Sequence, residues 1–352
     1  MFLIILTVYA ALIIAFVIGW QRIPVFSPEK HPNPLCRVSV IIPCRNEEIH
    51  LPTLLDGLKN QFLHPYEIIF VDDNSTDNTA GILSEFCAQF SDIHLIQNTG
   101  TGKKQALATG ISYATGELIV TTDADCVPHD SWIYNIASFY QTYKSDLIIC
   151  PVAMRANDTF FQQLQALEFT SLVASGAGAV GAGMPIMCNG ANLAFTKEIW
   201  QKCRNDLKTS ELSGDDMFLL HSVKKHRGKI DFLKSTSAVV FTLPTPNLKL
   251  FVRQRTRWTG KSVLYTDFAT LFTAFVVFGI SLAQITALFT DVRVFLFLFV
   301  GKFAIDLLFA KSTFAFFSQK STFLNLLLLS VIYPFYIIFT VVLAAFRNKN
   351  QW

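Results

Sequence analysis

The chain has 352 residues, of which 51% are hydrophobic and 16% charged, and its formal net charge is +3. So small a charge supplies neither a nucleic-acid surface nor a funnel for acidic substrates. The apolar fraction is too high for a wholly soluble enzyme, and the length suits one large domain or two ordinary ones.

In chain order, the almost uncharged run Met1–Trp20 is long enough to span a bilayer. It lacks the basic start and the small-residue end of a cleavable signal, so an uncleaved anchor over 1–21 is expected. Arg22, Lys30 and Arg37 follow it and place the next domain in the cytosol by the positive-inside tendency. Residues 22–35, with four prolines from Pro24 to Pro34, read as a linker. A catalytic domain is expected over 36–245. It opens with a β-branched strand, Val38 to Ile42, closed by Pro43, and a helix follows over His50–Gln61 with Leu51, Leu54, Leu55 and Leu58 on one face. Strand Glu67–Val71, helix Thr79–Phe90, strand Ile93–Ile96, helix Lys104–Thr115 and strand Leu118–Thr122 come next. This alternation predicts an α/β fold, a mostly parallel sheet with helices on both faces. Ligands of such sheets bind beyond the carboxyl ends of the strands.

Residues 246–266 are basic and aromatic, as an interfacial helix would be. The stretch 267–346 is lipid-like, with two segments long enough to span (Phe268–Thr290 and Phe323–Phe346). Between them Val292–Ala310 carries Lys302 and Asp306, four apart on one helical face, and suits a third span or an interfacial helix. Two spans would keep Arg347 and Lys349 of the tail (347–352) inside, and three would put them outside. The expected protein is therefore multi-pass in an inner or plasma membrane. Its seven cysteines show no C-x-x-C spacing, which argues against zinc and fits a reducing cytosol.

The most informative motif is Asp123-Ala124-Asp125, placed directly after an apolar strand. Two acids there need a partner, and hard carboxylate oxygens suit Mg²⁺ or Mn²⁺ bridging to a substrate's phosphates. Two more strands end in polar clusters, Pro43-Cys44-Arg45-Asn46-Glu47 and Asp72-Asp73-Asn74-Ser75. The second also suits a plain turn and helix cap. Lys103-Lys104 after Gly100-Thr101-Gly102 does not have phosphate-loop spacing. Ser213-Gly214-Asp215-Asp216 suits a helix N-terminus. The small residues from Ala174 to Gly183 suit either a core helix with a loop or a groove that an acceptor approaches closely.

In order, these segments together with Asn189-Gly190-Ala191-Asn192 and Gln254-Arg255-Thr256-Arg257-Trp258 form a specific set. The chain resembles the family 2 glycosyltransferases, membrane-attached inverting enzymes of GT-A fold that include cellulose, hyaluronan and ceramide-glucose synthases. The resemblance runs from about Arg37 to Trp258. It implies a nucleotide-diphospho-sugar donor, usually a UDP-sugar, held by Pro43, Arg45, Glu47, Asp72, Asp73, Lys104 and Asp123. It implies Asp125, with Asp123, as the ligands of Mg²⁺ or Mn²⁺ on the diphosphate. Gln254, Arg257 and Trp258 match a Q-x-x-R-W motif set at the diphosphate and acceptor, with Asn192 beside them. The general base would be Asp216, the second acid of a pair whose first member is usually Glu and is here Asp215. Expected partners are the donor, membrane lipids and a lipid or glycan acceptor. Single transfer to a membrane lipid is favoured over a processive polysaccharide synthase, because so few spans form a small channel at best. A non-catalytic sugar-nucleotide sensor ranks last, because Asp125 and Asp216 are both present.

Overall fold

A computed structural model describes residues 1–28, 36–156, 159–206, 215–319 and 323–346. Most of the linker, the Ser213-Gly214 lead-in and the tail fall outside these residues. The chain begins with α1 (Phe2–Arg22), then β1 (Val38–Cys44), α2 (Leu51–Lys59), β2 (Glu67–Asp72), α3 (Thr79–Cys87), β3 (Ile93–Gln97), α4 (Lys103–Tyr113) and β4 (Leu118–Thr121). Next come β5 (Val127–Pro128), α5 (Trp132–Tyr143), β6 (Leu147–Ile149), β7 (Val152–Met154), α6 (Phe160–Gly181), β8 (Leu193–Thr196), α7 (Lys197–Cys203), α8 (Asp215–Lys225), β9 (Ile230–Phe232) and β10 (Val240–Thr242). Four helices close it: α9 (Leu248–Lys261), α10 (Phe268–Thr290), α11 (Val292–Thr313) and α12 (Phe323–Phe346).

Contacts divide the chain into two compact units, one of Pro24–Ala153 and Cys188–Leu243, the other of Met1–Ile23, Met154–Met187 and Pro244–Trp352. The first is the α/β unit. Its main sheet has the order β3-β2-β1-β4-β8-β6-β9, and a small second sheet has the order β5-β10-β7. β3, β2, β1 and β4 run parallel, while β8 is antiparallel to both β4 and β6. Strands β1 and β2 are apolar runs because both their faces are covered; Val40, Ile41, Ile42, Phe70 and Val71 have no exposure. The chain leaves β1 towards β2 on one side and β4 lies on the other. The strand order reverses there, so a crevice opens beyond the ends of β1 and β4.

The second unit is helical. α1, α10 and α12 are each long and apolar enough to cross a membrane. Large apolar side chains such as Phe268, Phe275 and Phe289 stand exposed on them, which suits lipid rather than water. α11 has the length of a span too, and its Lys302 and Asp306 pair at 2.5 Å while Tyr9 of α1 donates to Asp306 at 2.5 Å. That pairing neutralises both charges inside the bundle rather than letting them reach outwards.

α6 belongs to this unit, and of the two readings the core helix with a loop is the one observed: Ala174–Gly181 continue the helix and the chain leaves it after Gly181. Gly178 and Gly181 of this stretch face α1. A Cβ on Gly178 would stand 2.4 Å from the Phe16 carbonyl oxygen, and one on Gly181 2.0 Å from that of Gly19. The small-residue stretch thus serves a close helix–helix approach, and the acceptor-groove reading of it is replaced. Gly178→Leu is expected to lower stability by about 3 kcal/mol, because the obstacle is backbone and cannot rotate away. An unchanged thermal midpoint in detergent would show that α1 does not pack there.

Candidate active site

A cavity of about 300 Å³ lies beyond the carboxyl ends of β1, β2 and β4, within the α/β unit. Pro43, Arg45, Glu47, Asp73, Lys103 and Asp125 line it, together with Asp123. The polar clusters at the three strand ends therefore meet.

The loops after β1 and β2 hold each other in place. Asn46 and Asn74 adopt left-handed backbone (φ 56° and 58°), a conformation that Asn tolerates best among residues with a Cβ. The Asn46 amide donates to Ser75 Oγ at 3.1 Å, and the Asn46 side chain accepts from Thr76 N at 2.8 Å. The Glu47 amide donates to Thr79 Oγ1 at 2.7 Å. The Asp72–Asp77 stretch is thus a turn and a wall of the site at once, and the latch fixes Arg45 and Glu47 at the rim.

The two acids at the end of β2 differ in role. Asp72 accepts from Ser75 N and Gln97 Nε2, both at 3.2 Å, and does not line the cavity. Asp73 does. It is 3% exposed and accepts from Asn98 Nδ2 at 2.6 Å, from Gly102 N at 2.9 Å and from Arg45 at 3.4 Å. Gly102 can offer its N–H because its φ of +91° suits glycine.

The Asp123-Ala124-Asp125 carboxylates sit in a site short of compensating charge. Burial first, and then Asp123, push the Asp125 carboxyl above its usual range. Glu47 is pushed up to about 7, by burial and then by Asp125 and Asp123. Lys103 answers part of this with a 2.5 Å contact to Asp123. Two acids pushed upward by burial and by neighbouring carboxylates mark a place where a cation would be stabilised. Among the described residues no three His, Cys, Asp or Glu side chains form a complete ligand set. Two carboxylates completed by phosphate oxygens and water are what Mg²⁺ or Mn²⁺ accepts, so the residues fit that ion.

Of the adjacent lysines, Lys103 lines the cavity, whereas Lys104 places its ammonium 5.6 Å from the Phe218 ring. Helical phase explains the difference. Lys103 shares a face with the buried Ala106, Leu107 and Gly110, and Lys104 is a hundred degrees or so off it. That signal was present in the sequence. Asn98, which fixes Asp73 together with Gly102, gave none.

Asp216, at the start of α8, accepts from Gly190 N at 3.2 Å and from Met217 N at 2.8 Å. Gly190's carbonyl in turn accepts from Thr121 Oγ1 at 2.9 Å, two residues before Asp123. One residue, Gly190, therefore ties the candidate base to the strand end that carries the acids. Asp215 is the first residue of the same helix. Asn192 is fully buried and its amide is fully engaged: it accepts from Trp132 Nε1 at 2.8 Å and donates to the carbonyls of Pro151 and Ala238. It is a fastener, and no donor of its amide remains for a substrate.

Gln254, Arg257 and Trp258 lie on α9, in the helical unit. The residue between them, Arg255, is 2% exposed, pairs with Glu168 at 2.5 Å and stacks 4.2 Å from the Trp258 ring. Neither Arg255 nor Glu168 stood out in the sequence.

The family profile described as Glycosyl transferase family 2 matches residues 39–195, and Glycosyl transferase family group 2 matches residues 118–347. The chain is 39% identical over 98 residues to the undecaprenyl-phosphate 4-deoxy-4-formamido-L-arabinose transferase of Serratia proteamaculans (strain 568), covering 26% of this chain and 30% of that protein. It is 43% identical over 95 residues to the Proteus mirabilis (strain HI4320) protein of the same description, covering 25% and 29%. The match thus spans under a third of those relatives' length. Mannosyltransferase PcManGT from Pyrobaculum calidifontis, solved in complex with GDP-Man and Mn²⁺, is similar in fold over 98% of this chain and 99% of its own. The TM-score is 0.57 at 18% identity, a likeness of fold.

Proposed function

The chain belongs to the family 2 glycosyltransferases, and from that premise we propose that it moves a sugar from a nucleotide-diphospho-sugar, a UDP-sugar first, to a membrane lipid, with inversion. The observation that carries this reading is the cavity at the strand ends, where Glu47, Asp123 and Asp125 crowd without enough positive charge. A nucleotide diphosphate with its divalent ion supplies what such a site lacks. The partial likeness to undecaprenyl-phosphate transferases supports a lipid acceptor. α1, α10 and α12 would anchor the enzyme, and Arg22 in the last turn of α1 favours a cytosolic catalytic unit.

In this mechanism Asp73 and Arg45 hold the nucleotide end of the donor, while Lys103 faces the diphosphate. Asp125 and Asp123 would hold Mg²⁺ or Mn²⁺, which when bound stabilises the negative charge of the leaving diphosphate. Asp216, aimed by two backbone N–H groups, takes the proton of an acceptor hydroxyl as its oxygen bonds to the anomeric carbon. The bond from that carbon to the diphosphate oxygen breaks on the opposite face, and the nucleoside diphosphate departs. One displacement with one base inverts the anomeric centre. On α9, Arg257 is assigned to phosphate oxygens and Trp258 to the acceptor, as their fork and ring geometry suit.

The test is nucleotide release by purified full-length enzyme offered UDP- and GDP-sugars with Mg²⁺ or Mn²⁺, with and without membrane lipids. Release should need metal and lipid, and both should fail in Asp125→Asn. Lipid-independent turnover to a lengthening product would overturn the lipid acceptor.

A pH dependence follows from Glu47. Its raised pKa leaves it largely protonated below about 7 in the metal-free enzyme, and a cation beside it draws the value back down. Metal binding should therefore expel a proton between pH 5 and 7, approaching one per site on the acid side of 7 and fading above pH 8. Mn²⁺ titration calorimetry in two buffers of different ionisation enthalpy reads this release, and Glu47→Gln should remove it.

A further inference from the structure

Within the helical unit, α10, α11 and α12 enclose a cavity of about 260 Å³ lined by Gln284, Leu288, Phe299, Ser330, Pro334 and Phe335, among others. Its wall is apolar apart from Gln284 and Ser330. Gln284 is 1% exposed, and among the described residues neither its amide nitrogen nor its amide oxygen has a hydrogen-bond partner. Leaving an amide unpaired in hydrocarbon is costly. Within the same unit Lys302, Asp306 and Tyr9 satisfy one another, whereas Gln284 is unpaired at both the nitrogen and the oxygen of its amide. A second irregularity lies on the opposite wall. Pro334 has no N–H, so the Ser330 carbonyl four residues earlier loses its ordinary helical donor.

The two unpaired atoms of one amide define what would fit. Nε2 needs an acceptor and Oε1 needs a donor. A hydroxyl is both, whereas an ester or ether oxygen only accepts. Water would satisfy the amide but leave the apolar space empty. An apolar cavity of about 150 Å³ takes benzene, so this one takes about ten carbons. The wall also opens outwards, since Leu288, Val331 and Phe335 are 37%, 46% and 45% exposed on helices of which two are apolar enough to cross a membrane. We infer that the cavity between α10, α11 and α12 binds a lipid alcohol, its hydroxyl paired with Gln284 and its hydrocarbon among the aromatic and branched walls. It shares no lining residue with the cavity at the strand ends and takes its lipid alcohol whichever donor or acceptor the enzyme uses.

The test uses full-length protein in phosphatidylcholine nanodiscs, photolabelled with diazirine-bearing geraniol or with its methyl ether, and labelled peptides mapped by mass spectrometry. Geraniol should label α10 and α12 roughly threefold to fifteenfold more than the ether, the span expected of one intramembrane hydrogen bond. Gln284→Leu preserves bulk and removes only the amide, so it should fold at least as well and label equally with both probes. Equal labelling of the wild type by alcohol and ether would overturn the proposal, as would labelling confined to other helices or none at all. A Gln284→Cys protein that cross-links to a second copy while geraniol fails to label would overturn it in favour of self-association.

Discussion

Asp216→Asn is expected to cut turnover about 10²- to 10⁴-fold with a lipid hydroxyl as acceptor, the usual contribution of a positioned general base. With a lipid phosphate the loss should be far smaller. The second proton of a phosphate monoester leaves near pH 6, so at pH 7 the attacking oxygen is already anionic and has no proton to lose. One variant therefore reads both the role of Asp216 and the chemistry of the acceptor. The pH profile gives an independent check, because a phosphate acceptor should leave the Asn enzyme rising through pH 6 and then flat. Asn keeps one of the two backbone contacts, to Gly190 or Met217, and faces the other N–H with a donor. That costs about 1 kcal/mol, a loss the thermal midpoint will report separately from activity. Wild-type turnover of a hydroxyl acceptor by the Asn enzyme would remove Asp216 from the chemistry.

The parts of the fold legible from sequence were those in which one rule acts alone. β1, β2, β3 and β4 are apolar runs between turn residues, the helices between them keep a 3.6-residue stripe, and every one of these elements is present. Strands β5 to β10 have two to four residues each, too short for run length or alternation to register, and β8 enters antiparallel against a parallel neighbour. Within the cavity, acids at strand ends were readable because a carboxylate there has few other uses. Which acid of Asp72-Asp73 faces the cavity depends on Gln97 and Gly102, at the end of β3 and just before α4, and no local pattern encodes that. Asn192 illustrates the same limit from the other side. Its residue type and place in Asn-Gly-Ala-Asn suited a ligand, yet three partners from distant segments engage it fully. The glycines of α6 announced a close approach without saying to what, and the answer was α1.

The largest stability effect is expected at Glu168→Gln. Glu168 and Arg255 are 5% and 2% exposed and pair at 2.5 Å. Removing the charge of one partner strands the other, which typically costs 3–5 kcal/mol, roughly the whole margin of an ordinary domain at the low end. The pair is nonetheless a poor device for stability alone. Arg255 Nε has no hydrogen-bond partner among the described residues, and a well-packed apolar pair of similar volume is commonly as stable or more so. Its geometry suggests another use. The guanidinium lies 4.8 Å from Phe251 and 4.2 Å from Trp258, and Gln254 accepts from it at 2.9 Å, so it braces two members of the Q-x-x-R-W motif from behind. The double variant Glu168→Met/Arg255→Met separates the two roles. It should unfold at or above the wild-type midpoint in detergent, while Glu168→Gln unfolds well below. If the pair fixes the Trp258 ring for the acceptor, the double variant should show a raised KM for lipid with an unchanged KM for the nucleotide sugar. A lipid KM at the wild-type value in that stable protein would leave Arg255 as packing alone.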